Sequence, residues 1–471
     1  MLITAEDIEA LSIHWAVAAI PSADRKRALS LADEHLVEQA VGEQIEFSFS
    51  NDVQRLDYPL LERVLTAYEL VAVEGLDALC GNGIDDGPLA RNAHAASYVA
   101  FALMRSLPVP PEWTSRIYHV LKISAMAYCG DRWPDLRRYY EDTPGAVTLP
   151  DVSDVDWDVR VLYRLFECWV CLFRKDGWCD LRRVQELIAL LRQEQNAYES
   201  NSLSGDVSID GQFRAFRLVA LYHLAKSSEL LAVFLTQGGT GSIFGDLEKH
   251  FEAAIKAACS SGDPAHEMLL RWLYAAARMM VNNSLWWGTR TVNSRVTKFV
   301  KELTGRQNRA MFELLPPQRA ALLEKGLLDP AKTAVVVDMP TSGGKTLLAQ
   351  FRILQALNQF AADKGWVAYI APTRALVSQI TRRLRRDFTP IGINVEQLSA
   401  AVEIDEFESR MLVDHGTPFH VLVATPEKLS LVIRNGKVGD RPLALVVVDE
   451  AHNFKGLNIN THMSNVPGVT G

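Results

Sequence analysis

Two short polar segments in the C-terminal third of the sequence carry the residue types needed for phosphate chemistry. The first, residues 340–346, reads Pro-Thr-Ser-Gly-Gly-Lys-Thr, and the second pairs Asp449 with Glu450. Glycines let the backbone approach phosphate oxygens closely, and the lysine adds a positive charge. An aspartate at a strand end suits Mg²⁺, and a neighbouring glutamate suits activation of water. Together these segments predict a nucleoside-triphosphate site built for magnesium-assisted attack on the γ-phosphate.

The glycine-containing segment lies between two apolar stretches of different character. Residues 334–337 are a β-branched run that predicts a strand, and residues 347–360 predict a helix. A helix that starts directly after the loop points its positive dipole end at the phosphates. We expect Lys345 to contact the β- and γ-phosphates and the Thr346 hydroxyl to bind Mg²⁺. The other predicted nucleotide contacts are Thr341, Ser342, Gly343 and Gly344.

The acidic pair follows the apolar run at residues 445–448, which predicts that it lies at the end of a strand. There Asp449 is expected to hold Mg²⁺ and Glu450 to orient or deprotonate the attacking water. An Asp-Glu pair alone is usually a solvated loop, but its position after such a strand and downstream of a phosphate loop favours the functional interpretation. Lys345, Asp449 and Glu450 are therefore the candidate catalytic residues.

The elements around these segments alternate between strands and helices from about residue 310 onward. Further apolar runs lie at 366–370, 420–423 and 444–448, with helical patterns between them. Continuous apolar strands joined by helices predict a parallel sheet covered on both faces. Ligands of such sheets bind at the carboxyl ends of the strands, which is where the polar segments begin.

The first 305 residues read as successive helices, because apolar residues recur at spacings of three and four. The predicted fold class is thus α plus α/β, with a large all-helical N-terminal region and one parallel α/β lobe. We expect helical subdomains at 1–150 and 151–305, a nucleotide-binding lobe at 306–455 and a disordered tail at 456–471.

The composition is that of a soluble globular protein, with 48% hydrophobic and 23% charged residues. A net charge of −8 argues against a protein that coats nucleic acid through overall basicity, although it leaves room for a local basic track. The pair Cys168 and Cys171 lies in an apolar helical pattern and has no downstream partners for a zinc site. Without a signal-peptide pattern or a long uncharged apolar run, the chain is predicted to be cytoplasmic, with no membrane partner.

The order of the motifs gives a specific resemblance. The sequence from about 310 to 455 is similar to the first RecA-like lobe of superfamily 2 DEAD/DEAH-box helicases, nearest the superkiller-like branch. Residues 371–379 resemble motif Ia of that family, residues 424–429 resemble motif Ib, and Asp449-Glu450-Ala451-His452 has the DEAH form of motif II. Gln318, within residues 315–319, matches the glutamine that lies upstream of the phosphate loop.

This resemblance implies roles for further residues. ATP and Mg²⁺ become the expected cofactors, with Gln318 reading the adenine. Arg374 and Thr425 would touch the nucleic-acid backbone, and Pro426, which continues motif Ib, would help to position the strand. His452 would couple the nucleotide state to a second lobe. The nucleic-acid partner is expected to be DNA rather than RNA.

Two basic clusters are candidates for a single-strand track. One covers residues 382–386, and the other runs from Arg290 to Arg309 close to Trp286 and Trp287. Basic residues beside aromatic ones suit charge and stacking contacts with a single strand. An arginine-rich helix face is more often simply solvated, however, and paired tryptophans more often pack a core, so both interpretations stay open.

The family uses a second lobe to complete its ATP site, and the sequence after His452, which has little periodicity, is not expected to form it. The expected function is that of a nucleic-acid helicase or translocase whose second lobe is missing. A truncated reading frame, a frameshift or a split helicase whose second lobe is another chain would all fit, and truncation after motif II is favoured. The alternative is an ATP-binding interaction or scaffold subunit with little hydrolysis of its own, for which a bacterial anti-phage system is one candidate setting by analogy. In either case the helical N-terminal region could recruit a protein partner.

Overall fold

The computed structural model of the chain describes residues 3–42, 56–80, 87–148, 156–202, 209–239, 241–340, 343–398, 419–434 and 441–451. The chain divides into two compact units. The helical unit comprises Met1–Gly288 and Thr304–Ala320, and the α/β lobe comprises Thr289–Leu303 and Ala321–Gly471. The predicted fold class is confirmed, because a helical region precedes one all-parallel RecA-like lobe. The division at residue 150 and the other predicted domain bounds stay predictions, and the tail at 456–471 lies outside the described residues.

The described residues of the helical unit are almost entirely α-helical. In chain order the helices are α1 Ala5–Ala10, α2 Trp15–Ala18, α3 Ser22–Gly42, α4 Tyr58–Glu74, α5 Leu76–Leu79, α6 Pro88–Arg105, α7 Trp113–Cys129, α8 Trp133–Asp142, α9 Pro144–Val147, α10 Trp157–Arg174, α11 Gly177–Ser202, α12 Ile209–Gln237, α13 Ile243–Ser260, α14 Pro264–Asn283 and α15 Leu285–Gly288. Helix α16, Ser294–Gly305, starts in the α/β lobe, and α17, Pro316–Arg319, belongs to the helical unit.

The core of the helical unit forms around α7 and α14, each of which buries side chains on most of its faces. Helix α7 can approach α6 closely because it ends at Gly130, where a Cβ atom would lie 2.5 Å from the backbone nitrogen of Tyr98. Cys168 and Cys171 are buried in α10 with the rest of the apolar core, and all six cysteines of the chain carry free thiols. Helix α12 is long and apolar enough to cross a membrane by length and composition, but half of the relevant window is buried inside the protein.

Residues 312–319, which lead out of the helical unit, are tied into it by backbone and side-chain contacts. The Leu314 N–H donates to the Asn283 carbonyl at 2.7 Å. The Glu313 carboxylate lies 3.0 Å from the Lys175 ammonium and accepts the Tyr128 hydroxyl at 3.0 Å. These charged side chains are buried, so the segment is part of the helical core and not a solvated linker.

The α/β lobe contains a four-stranded parallel sheet in the order β2-β3-β1-β4. The strands are β1 Trp366–Ile370, β2 Val395–Gln397, β3 Val421–Ala424 and β4 Leu443–Val448. Among the described residues, the helices α18 Lys345–Gln359, α19 Arg374–Phe388 and α20 Pro426–Arg434 accompany them, together with most of α16. A short π-helix covers Ala320–Glu324, and 3₁₀ turns lie at Leu11–Ile13 and Thr389–Ile391.

The prediction of a strand at residues 334–337 is wrong for this structure. The described stretch 333–340 forms neither helix nor strand, and Val336 is 94% exposed. A β-branched run becomes a strand only where its backbone pairs with a neighbour. Strand β4 is an edge strand of the described sheet, so no described strand pairs with its outer side. In agreement with this position, all six of its residues are only partly buried.

Candidate nucleotide-binding site

The predicted phosphate loop passes directly into a helix. Gly344 adopts the left-handed conformation, with φ 78°, and forms the N-cap of α18, whose first residue is Lys345. The Gly343 N–H donates to the Pro340 carbonyl at 2.9 Å. A glycine can adopt this φ without strain, and the backbone N–H groups of the first helical turn then point away from the helix, as an anion requires.

Lys345 and Thr346 lie in the first turn of α18 and are partly exposed, so both side chains are accessible to a ligand. The helix that carries them is fixed by its buried face. Gln350 donates to the Asp387 carboxylate at 2.8 Å, and Phe351 packs edge-on against Phe299. The predicted contacts Thr341 and Ser342 lie outside the described residues.

The acidic pair lies where β4 ends, as predicted from the apolar run before it. The Asp449 N–H donates to the Ile370 carbonyl at 2.9 Å, which extends the pairing of β4 with β1 by one residue. One carboxylate oxygen of Asp449, Oδ1, accepts the Glu450 N–H at 3.0 Å. Glu450 has a positive φ of 50°, which is uncommon for a residue with a side chain. The chain therefore turns sharply at the strand end, at the residue predicted to act as the base.

The second carboxylate oxygen of Asp449 is held by a residue that the motifs do not indicate. The Tyr369 hydroxyl, on β1, donates to Asp449 Oδ2 at 3.1 Å. Burial first, and the nearby Asp449 charge second, raise the pKa of the Tyr369 phenol, so it remains a donor at neutral pH. The local sequence indicated the functional importance of Tyr369 only through its hydroxyl, which is a polar group in an otherwise apolar strand.

The predicted nucleic-acid contacts lie at the same edge of the sheet as Asp449. Arg374 is the exposed first residue of α19, directly after β1, and the Thr373 hydroxyl caps that helix by accepting the Leu376 N–H at 3.3 Å. Thr425 follows β3, and Pro426 opens α20. Because β3, β1 and β4 are parallel neighbours, their carboxyl ends bring Thr425, Arg374 and Asp449 to one side of the lobe.

The other predicted residues are placed as follows. Gln318 is buried in the helical unit, where its Oε1 accepts the Leu315 N–H at 3.0 Å. The side-chain carbonyl is thus used within α17, and the adenine-reading role stays a prediction. His452 lies outside the described residues.

Several residues in or beside the two basic clusters make contacts within the protein. Arg385 pairs with Glu396 at 2.7 Å and Arg386 with Asp387 at 2.9 Å, so these two charges are partly neutralised within the lobe. Trp286 donates to the Leu235 carbonyl at 3.2 Å. Trp287 packs edge-on against Phe244 in the helical unit. The core-packing interpretation therefore holds for the two tryptophans.

The parallel sheet, the glycine-capped helix α18 and the Asp-Glu pair at the carboxyl edge together have the arrangement of a RecA-like α/β lobe. Residues 316–467 match the DEAD/DEAH box helicase family, and this part of the chain is a helicase domain of that family. The matched residues include the predicted phosphate loop, the segments that resemble motifs Ia and Ib, and the acidic pair.

Several proteins named as ATP-dependent helicases are similar to part of this chain. An ATP-dependent DNA helicase Hel308 of Methanocella arvoryzae is 34% identical over 30% of this chain and 18% of its own length. An ATP-dependent helicase Lhr-Core protein 2 of Thermococcus barophilus is 31% identical over 31% of this chain and 18% of its own length. A Hel308 helicase of Pyrococcus abyssi is 29% identical over 33% and 20%, respectively. The chain thus spans about a fifth of the length of these relatives.

Proposed function

We propose that this chain acts in ATP-dependent translocation on, or unwinding of, nucleic acid, and that DNA is the substrate. The observation that carries the proposal is the Asp449 carboxylate, which is held at the carboxyl edge of a parallel sheet by two hydrogen bonds. The DEAD/DEAH box match supplies the helicase context, and relatives named as DNA helicases favour DNA over RNA.

The residues present fit a magnesium–ATP complex. Gly344 leads into a helix whose N-terminus suits phosphate, and each Asp449 oxygen accepts one hydrogen bond. A carboxylate oxygen has about two acceptor positions, so each retains one for a cation or its waters. Asp449 and Thr346 are the residues that would hold Mg²⁺, which when bound neutralises charge that develops on the phosphates.

The other side chains then have separate roles. Lys345 balances the charge of the β- and γ-phosphates, and Glu450 accepts a proton from, or orients, the attacking water. Arg374, Thr425 and Pro426 lie at the sheet edge where a nucleic-acid backbone would run. Gln318 and His452 retain their proposed roles in adenine recognition and in coupling to a second lobe.

The second candidate function is an ATP-binding interaction subunit with little hydrolysis, and one feature of the helical unit favours it. Helix α12 exposes large apolar side chains at successive three-residue spacings, each 43–46% accessible: Phe213, Phe216, Val219 and Tyr222. Several exposed large apolar side chains along one helix are typical of a protein-interaction surface.

Steady-state ATP hydrolysis distinguishes the two functions. The assay uses the 471-residue chain alone, with single-stranded DNA and with RNA of the same sequence, beside Lys345→Ala as a blank. The helicase proposal predicts turnover that depends on Lys345 and is stimulated more by DNA than by RNA. ATP binding without turnover under all three conditions would favour the interaction subunit, and turnover that survives Lys345→Ala would refute the assigned site.

A further inference from the structure

Tyr369 lies on β1, an interior strand of the described sheet. In the parallel register it stands between Val423 of β3 and Val447 of β4, and it is 2% exposed. A phenol in such an apolar setting needs a hydrogen-bond partner, because an unpaired buried polar group is costly. The partner is Asp449 Oδ2, at 3.1 Å.

The contact completes a two-point attachment of Asp449 to β1. The backbone N–H of Asp449 donates to the Ile370 carbonyl, and its side chain accepts from the neighbouring Tyr369. Together with the Glu450 N–H on Oδ1, these bonds restrain the torsions that set the direction of the carboxylate. The remaining acceptor positions of both oxygens are thereby fixed in space.

We propose that Tyr369 is a positioning residue for the magnesium site: its hydroxyl holds the Asp449 carboxylate in the orientation that receives Mg²⁺ bound to ATP. This inference rests on the proposed function. Groups that hydrogen-bond metal-ligating carboxylates typically change metal affinity by about 10- to 100-fold when removed. Tyr369 does not touch the nucleotide in this proposal, and it acts only through Asp449.

Tyr369→Phe is a suitable test because it removes one oxygen atom and keeps the buried ring. The measurement is equilibrium binding of a fluorescent, non-hydrolysable ATP analogue to the whole chain, in EDTA and across a titration with MgCl₂. We expect Tyr369→Phe to bind the analogue as the wild type does in EDTA. The Mg²⁺ concentration at half-maximal effect should rise roughly tenfold or more.

A matched control removes a buried tyrosine hydroxyl from the helical unit. Tyr140 is buried, and its hydroxyl bonds to the Ser124 hydroxyl at 2.6 Å, so Tyr140→Phe makes the same chemical change away from the lobe. Its Mg²⁺ titration should match that of the wild type. In an Asp449→Asn background, Tyr369→Phe should have no further effect on the titration, because the group it positions is no longer a carboxylate.

The outcomes separate this inference from the function on which it rests. If the wild type shows no Mg²⁺-dependent binding of the analogue, the proposed function fails. If the wild type does show it and Tyr369→Phe titrates identically, the positioning role is refuted. Equal weakening in EDTA and in Mg²⁺, or an undiminished effect in the Asp449→Asn background, would also refute it, because either result indicates a general structural role.

Discussion

The ion pair between Arg319 and Asp131 gives a quantitative prediction about how the helical unit holds the segment that leads toward the helicase motifs. The Arg319 and Asp131 side chains are only 4% and 6% exposed. The guanidinium binds both carboxylate oxygens, with Nη1 2.8 Å from Oδ1 and Nη2 2.5 Å from Oδ2. Burial alone would raise the pKa of Asp131, but Arg319 and His94 outweigh it and hold that pKa well below its ordinary range.

We predict that Asp131→Asn lowers the free energy of unfolding of the helical unit by about 3–5 kcal/mol, the cost of leaving a buried charge without its partner. Asp131 has a positive φ of 56°, in the left-handed region. Asparagine adopts this region readily, so the substitution adds no backbone strain to the measured change. Urea unfolding of the whole chain followed by far-UV circular dichroism measures the change. Hydrogen exchange should show faster opening of residues 312–319.

An exposed pair of similar geometry provides the control. Arg63 Nη2 lies 2.7 Å from Asp24 Oδ2 in the same unit, but the two side chains are 56% and 38% exposed. Asp24→Asn should therefore cost at most about 1 kcal/mol. If Asp131→Asn also cost less than about 1 kcal/mol, the assignment of Arg319 as a desolvated charge that depends on Asp131 would be wrong.

Three further predictions concern the site, the pH dependence and the lobe. Glu450→Gln should retain ATP binding and lose turnover, because only the proton acceptor is removed; a hydrolysis assay equal to wild type would exclude it as the base. Burial lowers the pKa of His266 from 6.5 to about 4, so stability should fall by up to about 3 kcal/mol as the pH drops through that window, where only the unfolded chain binds the proton. His266→Leu should flatten this dependence in urea titrations at several pH values, and an unchanged slope would contradict it. Thr373→Ala should destabilise the lobe by about 0.5–2 kcal/mol through loss of the α19 cap, with Thr373→Ser as the control that retains the hydroxyl.

The sequence predicted those features whose determinants are local. The glycine at 344 followed by a helical pattern predicted a helix that starts after the loop, and the structure has α18 beginning at Lys345. The apolar run before Asp449 likewise predicted a strand that ends there. Both follow from short-range propensity and periodicity, which a single sequence carries.

Features that depend on pairing over long sequence separations could not be predicted. The hydrogen bond between Tyr369 and Asp449 joins residues 80 positions apart, and it requires the relative register of β1 and β4. The pair of Asp131 with Arg319 spans 188 positions. The expected strand at 334–337 failed for the same reason, since strand formation depends on a pairing partner that local composition does not specify.

The central claim is that the α/β lobe carries a nucleotide site built on Lys345. Equilibrium binding of ATP in the presence of Mg²⁺ tests this claim most directly. The comparison is between the wild type, Lys345→Ala and Lys298→Ala, which removes the same charge from an exposed position of α16 in the same lobe. Wild type and Lys298→Ala should bind the fluorescent ATP analogue with equal affinity, whereas Lys345→Ala should lose binding. Equal binding by all three proteins would contradict the account.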